Sequence, residues 1–227
     1  DDEGYYVVDE KTGPVVKEIY VIIDDVKYPL QYMESGVWTT TINQDLESKA
    51  YYYRCRINSE FFETLDPYGN SSNANNKCNY IIDIDKTYQM KYGYVESKNP
   101  IIYELSVRDA TSFLNKTDSG TFDALTKSAS RPFWAPDFSG RTTRLGITHI
   151  QLMPIFAFDG VDESIKDSNS SLFKYNWGYN PTQYFVPSGF LSKNAEDPYE
   201  RINELKKLID KIHQLGMGVN MDVVYNH

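Results

Sequence analysis

The sequence has 227 residues, which is enough for one large domain or two of ordinary size. Hydrophobic residues make up 41% and charged residues 24%, so a packed core can form and wholesale disorder is excluded. The net charge of −9 excludes the basic surface that nucleic acids require. Apolar runs are much shorter than the roughly 20 residues of a membrane span, and the first residues lack the pattern of a signal peptide. We therefore expect no nucleic-acid or membrane partner, and the compartment stays open between the cytoplasm and the cell exterior.

The composition changes near residue 97, which indicates two domains. Residues 1–97 hold 17 acidic and 9 basic side chains, together with 13 of the 19 tyrosines. Residues 98–227 hold 15 acidic and 14 basic side chains. The stretch from Ser97 to Pro100 has the composition of a linker. The sequence therefore predicts one domain over 1–97 and a second over 98–227.

The number and spacing of the cysteines limit the disulfide bonds and zinc sites that the chain can form. Cys55 and Cys78 are too few for a disulfide framework, and two free thiols are favoured over a single bridge between neighbouring strands. The sequence holds no CxxC motif or Cys/His cluster, so a structural zinc site is not expected.

The first domain has the pattern of an antiparallel β-sandwich. Runs of β-branched and aromatic residues, or alternation of apolar and polar residues, predict strands over Val15–Ile23, Gly36–Ile42, Ala50–Ile57 and Tyr80–Ile84. Asp66–Asn70 has turn chemistry, and the Asn-rich Ser71–Asn79 is predicted to be a surface loop. Several short strands without a helical pattern favour a sandwich.

The second domain alternates strands with helices. Buried strands are predicted over Ile101–Val107, Ile147–Pro154 and Val219–Val224, and a short helix over Thr121–Ala129. A longer helix is predicted over Pro198–Leu215, with Asp197 as its N-cap and Gly216 as its left-handed C-terminal residue. This order predicts a parallel sheet with helices outside it, and long crossovers that carry inserted loops.

Four motifs in the second domain, together with two short ones in the first, carry a resemblance to a known family. DVVYNH at the C-terminus (222–227) resembles the first conserved region of the α-amylase superfamily, glycoside hydrolase family 13, and YNWGYNP (175–181) resembles the signature of type I pullulanases. YELSVRDAT (103–111) and GITHIQLMP (146–154) are similar to the first two barrel strands of these enzymes, and GVW (36–38) and DPYG (66–69) to the immunoglobulin-like module before the barrel. The chain departs from the family pattern at Ser106, where His is usual, at Ala110, where Phe is usual, and at Asn180, where Asp is commoner.

The resemblance implies a fold and a set of site residues. The expected fold is an N-terminal immunoglobulin-like β-sandwich, a glucan-binding-type module, followed by the first three strands of a (β/α)8 TIM barrel, whose active site lies at the C-terminal ends of its strands. Asp222 and His227 are then expected to bind sugar hydroxyls in the −1 subsite, with Tyr179 as a stacking platform. Asn226 matches a position that binds calcium in many α-amylases, although pullulanases often do not use it, so no cofactor is required and calcium stays an open expectation. Trp177 is interpreted as a loop-packing residue, and Arg108 and Asp109 as a structural pair.

The same resemblance implies a function that this chain holds only in part. The whole protein is expected to be a retaining glycoside hydrolase that cleaves α-1,6 links in pullulan, starch or glycogen, with an α-glucan as its partner. Retaining hydrolysis needs two carboxyl groups, which in this family follow later strands, so the 227 residues alone are expected to be inactive. The remainder of the barrel would come from the same chain or a second one. Two alternatives stay open, namely another debranching or branching enzyme of the superfamily, and a non-catalytic glucan-binding or scaffold module.

Overall fold

The computed structural model describes residues 8–9, 13–14, 16–94, 96–112, 119–128 and 147–226. The strands of this part are β1 Val8–Asp9, β2 Gly13–Pro14, β3 Val16–Ile23, β4 Val26–Pro29, β5 Gln31–Tyr32, β6 Trp38–Thr39, β7 Ala50–Ile57, β8 Glu60–Thr64, β9 Asn79–Tyr80, β10 Ile102–Leu105, β11 His149–Leu152, β12 Phe156–Phe158, β13 Pro181–Pro187 and β14 Gly218–Met221. The α-helices are α1 Phe122–Ser128 and α2 Glu200–Gln214. No helix within these ranges is both long enough and apolar enough to cross a bilayer.

The N-terminal part is built on one five-stranded antiparallel sheet, which confirms the predicted β domain, whereas its immunoglobulin-like sandwich form stays a prediction. Its strand order is β4-β3-β7-β8, and β9 also pairs with β7. The strand predicted over Ala50–Ile57 has those bounds in the structure, and the one predicted from Val15 is β3, with Val15 itself outside the described residues. Asp24 and Asp25 connect β3 to β4 with φ angles of 45° and 65°, because a two-residue hairpin turn of this kind needs a left-handed backbone that Asp tolerates.

Two predicted strands of this part are much shorter than expected. Only Trp38–Thr39 of the segment 36–42 is a strand, and it pairs with the equally short β5. Of the segment 80–84, only Tyr80 belongs to a strand, because Asp83 accepts a hydrogen bond at 3.0 Å from the backbone of Asp85 and starts a 3₁₀ turn. Local side-chain bonds of this kind compete with strand pairing.

The C-terminal part contains the predicted parallel sheet. Its strands run in the order β10-β11-β14, with Leu105 opposite Leu152 and Leu152 opposite Met221. The chain between β11 and α2 forms an antiparallel pair, β12 with β13, which the sequence analysis treated only as inserted loop. The architecture is thus an N-terminal β domain followed by the first part of a barrel.

The two predicted helices are present, and the longer one begins two residues after its predicted start. The Asp197 carboxylate accepts hydrogen bonds from the backbone N–H groups of Tyr199 at 2.8 Å and Glu200 at 2.9 Å, so it caps the helix in the predicted way. Gly216 follows the helix with a φ of 80°. The helix packs its apolar stripe on a core shared with α1 and the parallel sheet. Fully buried members of this core are Phe122, Leu125, Ile150, Leu152, Leu208 and Ile212.

The Asn-rich segment 71–79 is not the predicted surface loop. Ser71, Ser72 and Asn79 have no solvent-exposed area. The Asn79 amide donates to Gln183 Oε1 at 2.7 Å, and Ser72 Oγ accepts a bond at 3.0 Å from the guanidinium of Arg201. The segment forms a partly buried polar seam, in which Asn75 and Lys77 remain exposed. Side chains far along the chain satisfy the hydrogen-bonding groups of its buried residues.

Both cysteines are free thiols, which confirms the favoured interpretation. They are half-buried, and burial raises the pKa of Cys55 and Cys78 above the ordinary thiol value. Neither thiol is therefore activated as a nucleophile.

Candidate functional site

The candidate site lies where the three parallel strands end. Because parallel strands bring their carboxyl ends to one edge, Ser106, Met153 and Asp222 come from β10, β11 and β14 to the same edge of the sheet. The backbone N–H of Asp222 donates to Leu152 O at 2.9 Å, which holds Asp222 in register directly after β14. The carboxylate therefore stands at a fixed position on this edge.

The structure brings together two of the predicted site residues. The hydroxyl of Tyr179 donates to Oδ2 of Asp222 at 2.7 Å. This bond, followed by burial, raises the pKa of Tyr179 to about 12, so the phenol stays protonated and remains a donor across the neutral range. The Tyr179 side chain is 40% exposed, which leaves part of the ring open to a ligand.

A glycine makes the close approach of this loop possible. Gly178 has a φ of +88°, and a Cβ at this position would lie 2.9 Å from the carbonyl oxygen of Pro154. Its N–H donates to Asn176 Oδ1 at 2.8 Å. Because only glycine fits both the left-handed backbone and the contact, the loop can pass close to Pro154 after β11 and bring Tyr179 to Asp222.

Two asparagines tie the same loop to the end of β12. Asn176 and Asn180 each donate their side-chain amide to the carbonyl oxygen of Asp159 at 2.9 Å. An aspartate, the commoner residue at position 180 in the family pattern, has no such donor when ionised. Asn180 therefore fits this loop, and its side-chain amide is one of the two anchors to Asp159.

The other two predicted site residues contribute little to the described geometry. His227 lies outside the described residues. Asn226 is exposed at the end of the described chain. Within the described ranges, no three His, Cys, Asp or Glu side chains are grouped so that they could hold a metal ion.

A second polar network beside this pair was not predicted. Tyr175 donates its hydroxyl to Oδ2 of Asp109 at 2.6 Å, and the indole Nε1 of Trp177 donates to the Tyr175 hydroxyl at 2.7 Å. Asp109 thus accepts a hydrogen bond from Tyr175. Among the described ion pairs, none joins Asp109 to Arg108, as their interpretation as a structural pair would require. The Arg108 guanidinium is buried over the rings of Phe173 and Phe190, 4.7 Å and 4.3 Å from their centroids. Burial lowers the pKa of Arg108 below its ordinary value.

The packing interpretation requires Trp177 to be buried in the loop, but Trp177 is exposed. Its side chain is 58% exposed, and Tyr175 is 49% exposed. The YNWGYNP spacing gave one signal for this arrangement, since aromatic residues alternate at 175, 177 and 179. The partner Asp109 is 66 residues away and could not be inferred from spacing.

Comparison with known proteins gives a consistent set of relatives, although no family model matches the chain. The pullulanase of Bacillus subtilis is 33% identical over 208 residues, which cover 88% of this chain and 28% of that protein. The structure of the Anoxybacillus sp. LM18-11 pullulanase complexed with maltotetraose matches with a TM-score of 0.82 at 31% identity, covering 94% of this chain and 32% of that one. The Paenibacillus barengoltzii pullulanase complexed with maltohexaose and α-cyclodextrin matches with a TM-score of 0.80 at 34% identity, covering 93% and 35%. The chain thus spans about a third of the length of these relatives.

Proposed function

We propose, because this chain belongs to the pullulanase family, that it is part of a retaining glycoside hydrolase that cleaves α-1,6-glucosidic links in pullulan, starch or glycogen. Residues 98–227 would form the first part of the catalytic barrel, and residues 1–97 the β module that precedes it. Two solved relatives are described as complexes with maltotetraose and with maltohexaose, which supports an α-glucan as the ligand.

The observation that carries the proposal is the Tyr179–Asp222 pair at the C-terminal edge of the parallel sheet. A pyranose has an apolar C–H face that can lie against the partly exposed Tyr179 ring, while its hydroxyls can donate to the Asp222 carboxylate. Because Tyr179 stays protonated, it donates to Asp222 and keeps that carboxylate oriented. His227 would add a further contact to the same sugar.

The role proposed for this chain is substrate binding rather than proton transfer. Retaining hydrolysis needs a nucleophilic carboxylate and a general acid about 5–5.5 Å apart across the scissile bond. We assign both to the rest of the barrel, after its fourth and fifth strands, from the same polypeptide or from a second one. The 227 residues alone would then bind part of the substrate and hydrolyse nothing.

Calcium does not enter the proposed mechanism. Asn226 can offer one amide oxygen, whereas a calcium ion takes about six to eight oxygen ligands. The described residues do not supply the acidic cluster that such a site needs. A chelator titration tests this position in the complete enzyme. A loss of activity that added calcium restores in the wild type but not in Asn226→Ala would assign Asn226 to a metal site completed by the rest of the barrel.

The proposal is tested in the enzyme that carries this chain, with pullulan as substrate and released reducing ends as the signal. We expect activity in the wild type and a loss of 100-fold or more, on the order of 3 kcal/mol, in Asp222→Ala. Lys207→Ala is the control, because Lys207 is an exposed residue of α2. A wild type that binds maltotetraose without cleaving pullulan would favour the non-catalytic glucan-binding alternative. Wild-type activity that Asp222→Ala leaves intact would refute the site.

A further inference from the structure

Strand β8 forms one edge of the N-terminal sheet and carries two exposed phenylalanines. It is the last strand in the order β4-β3-β7-β8, so no strand of the described ranges pairs with its outer side. All of its residues, Glu60–Thr64, are exposed, and the exposed fractions of Phe61 and Phe62 are 42% and 49%. A free edge strand with apolar side chains is a template for pairing with another strand.

The backbone groups that β8 turns outward follow from its pairing with β7. Ile57 and Glu60 lie opposite each other across a two-residue turn, which makes them a hydrogen-bonded pair. Hydrogen-bonded and non-hydrogen-bonded pairs alternate along an antiparallel ladder. Phe61 and Glu63 therefore turn their N–H and C=O groups away from β7, and these groups line the outer side of β8.

The opposite edge of the same sheet is protected against strand pairing. Strand β4 ends at Pro29, which has no N–H to donate, and it carries Lys27, a residue type common on protected edges. Strand β8 contains neither proline nor lysine. Of these two edges, β8 is therefore the one open to a partner strand.

We propose that β8 is the contact strand of a homodimer, in which it pairs antiparallel with β8 of a second copy around a twofold axis at Phe62. This register uses the whole strand, with Phe62 opposite its own copy, Phe61 opposite Glu63 and Glu60 opposite Thr64. Phe61 and Glu63 carry the outward backbone groups, so each of their pairs exchanges N–H···O bonds in both directions. The two Phe62 rings meet at a non-hydrogen-bonded position, where opposite side chains approach each other most closely.

The charges of β8 favour this register over its neighbours. No glutamate faces another, because Glu60 lies opposite threonine and Glu63 lies opposite phenylalanine. A twofold axis at Glu63 would instead place two carboxylates opposite each other, which destabilises a sheet. An axis at Phe61 would place Glu63 and Thr64 opposite the turn residues of the other copy. Glu63 also lies opposite Arg54 of β7, so in the dimer it stands between a cation of its own chain and the Phe61 ring of the second copy.

The test is sedimentation velocity of the complete enzyme at about 1–100 μM. Because the contact is small, we expect monomers at the lower end and dimers at the upper end, with a Kd on the order of 10 μM. Phe62→Lys and Phe62→Glu each place like charges opposite each other at the axis, so each alone should raise this Kd at least about tenfold. An equimolar mixture of the two variants should form dimers again, because opposite charges then face each other. Val26→Lys is the matched control, since Val26 is 51% exposed on the other edge strand, and it should dimerise as the wild type does.

The mixture distinguishes this interface from a general effect of charge or of misfolding. A wild type that stays monomeric at about 100 μM would overturn the proposal. Dimers that persist in both Phe62 variants would assign the contact to another surface, and so would a loss of dimers in Val26→Lys. A mixture that remains monomeric would overturn the register. The dimer uses none of the residues of the proposed glucan site, so it is independent of whether the enzyme cleaves pullulan.

Discussion

Replacing Arg201 with Met perturbs the buried seam between the N-terminal strands and the barrel part. Arg201 has no exposed area, and its guanidinium donates to Ser72 Oγ and Pro187 O, each at 3.0 Å, and to Ala195 O at 2.8 Å. It also lies 3.5 Å from Oε2 of Glu163, which is 1% exposed. Met fills similar space but supplies no donor and no charge. Because these oxygen acceptors, and Asn73 O at 3.4 Å, lose a donor and a buried carboxylate loses its counter-ion, we expect a cost of about 3–5 kcal/mol.

The assay is hydrogen exchange in the complete enzyme, read at the amides of residues 71–79, together with the denaturation midpoint. A loss of about 3 kcal/mol in local stability corresponds to exchange more than 100-fold faster. Lys207→Met is the control, because Lys207 is exposed on the same helix and should change stability by less than about 0.5 kcal/mol. A cost below about 1 kcal/mol for Arg201→Met, with unchanged exchange at 71–79, would show that apolar contacts hold the seam.

Three other substitutions test single features. Burial raises the pKa of Glu204 from 4.5 to about 7, so the folded state binds this proton more tightly than the unfolded state. The free energy of unfolding should therefore fall by up to about 3 kcal/mol as the pH rises between those two values. Denaturation midpoints of Glu204→Gln should not show this fall. Gly178→Ala puts a Cβ 2.9 Å from Pro154 O at a φ of +88°, so we expect a loss of about 1–3 kcal/mol in thermal or chemical denaturation, and an unchanged midpoint would contradict the packing argument. Tyr179→Phe keeps the ring and removes the 2.7 Å bond to Asp222, so kcat/KM on pullulan should fall about tenfold, less than in Tyr179→Ala.

Local patterns predicted some of the regular elements, whereas β4 and β8 of the N-terminal sheet and the pair β12–β13 were not predicted. The strand over Ala50–Ile57 has its predicted bounds because a run of aromatic and β-branched residues is readable without knowledge of its partners. The long helix was readable from its apolar stripe and from caps at Asp197 and Gly216. The parallel order of β10, β11 and β14 followed from the alternation of strands with crossovers.

The wrong predictions concern segments whose burial or strand pairing depends on residues far along the chain. The composition of 71–79 predicted a surface loop. The burial of Ser72 depends instead on a hydrogen bond from Arg201, which is 129 residues away along the chain. The alternating segment 36–42 met only a two-residue partner strand and could not extend as a strand. Pairing partners and buried counter-ions of this kind leave no periodic signal in a single sequence.

The candidate site was also predicted only where a local motif carried the signal, and not where the contact joins distant residues. Motif resemblance placed Tyr179 and Asp222 in one site, and the structure joins them by a hydrogen bond across 43 residues. The relay from Asp109 through Tyr175 to Trp177 was missed, because each member has an ordinary role when read alone. An aromatic residue in a loop usually packs, so nothing in the sequence indicated the Nε1 bond of Trp177 to Tyr175.

The seam and the site are connected through β13. Asn79 of the seam binds Gln183, which lies in β13, and this strand begins directly after the loop that carries Trp177 and Tyr179. The other end of that pairing, β12, leads into Asp159, whose carbonyl accepts both asparagine anchors of the loop. The buried bond from Asn79 to Gln183 therefore holds the antiparallel pair, and the pair in turn anchors the aromatic loop. The N-terminal strands contribute to the geometry of the proposed glucan site in this way whether or not they bind a glucan themselves, so weakening the seam should raise KM as well as lower stability.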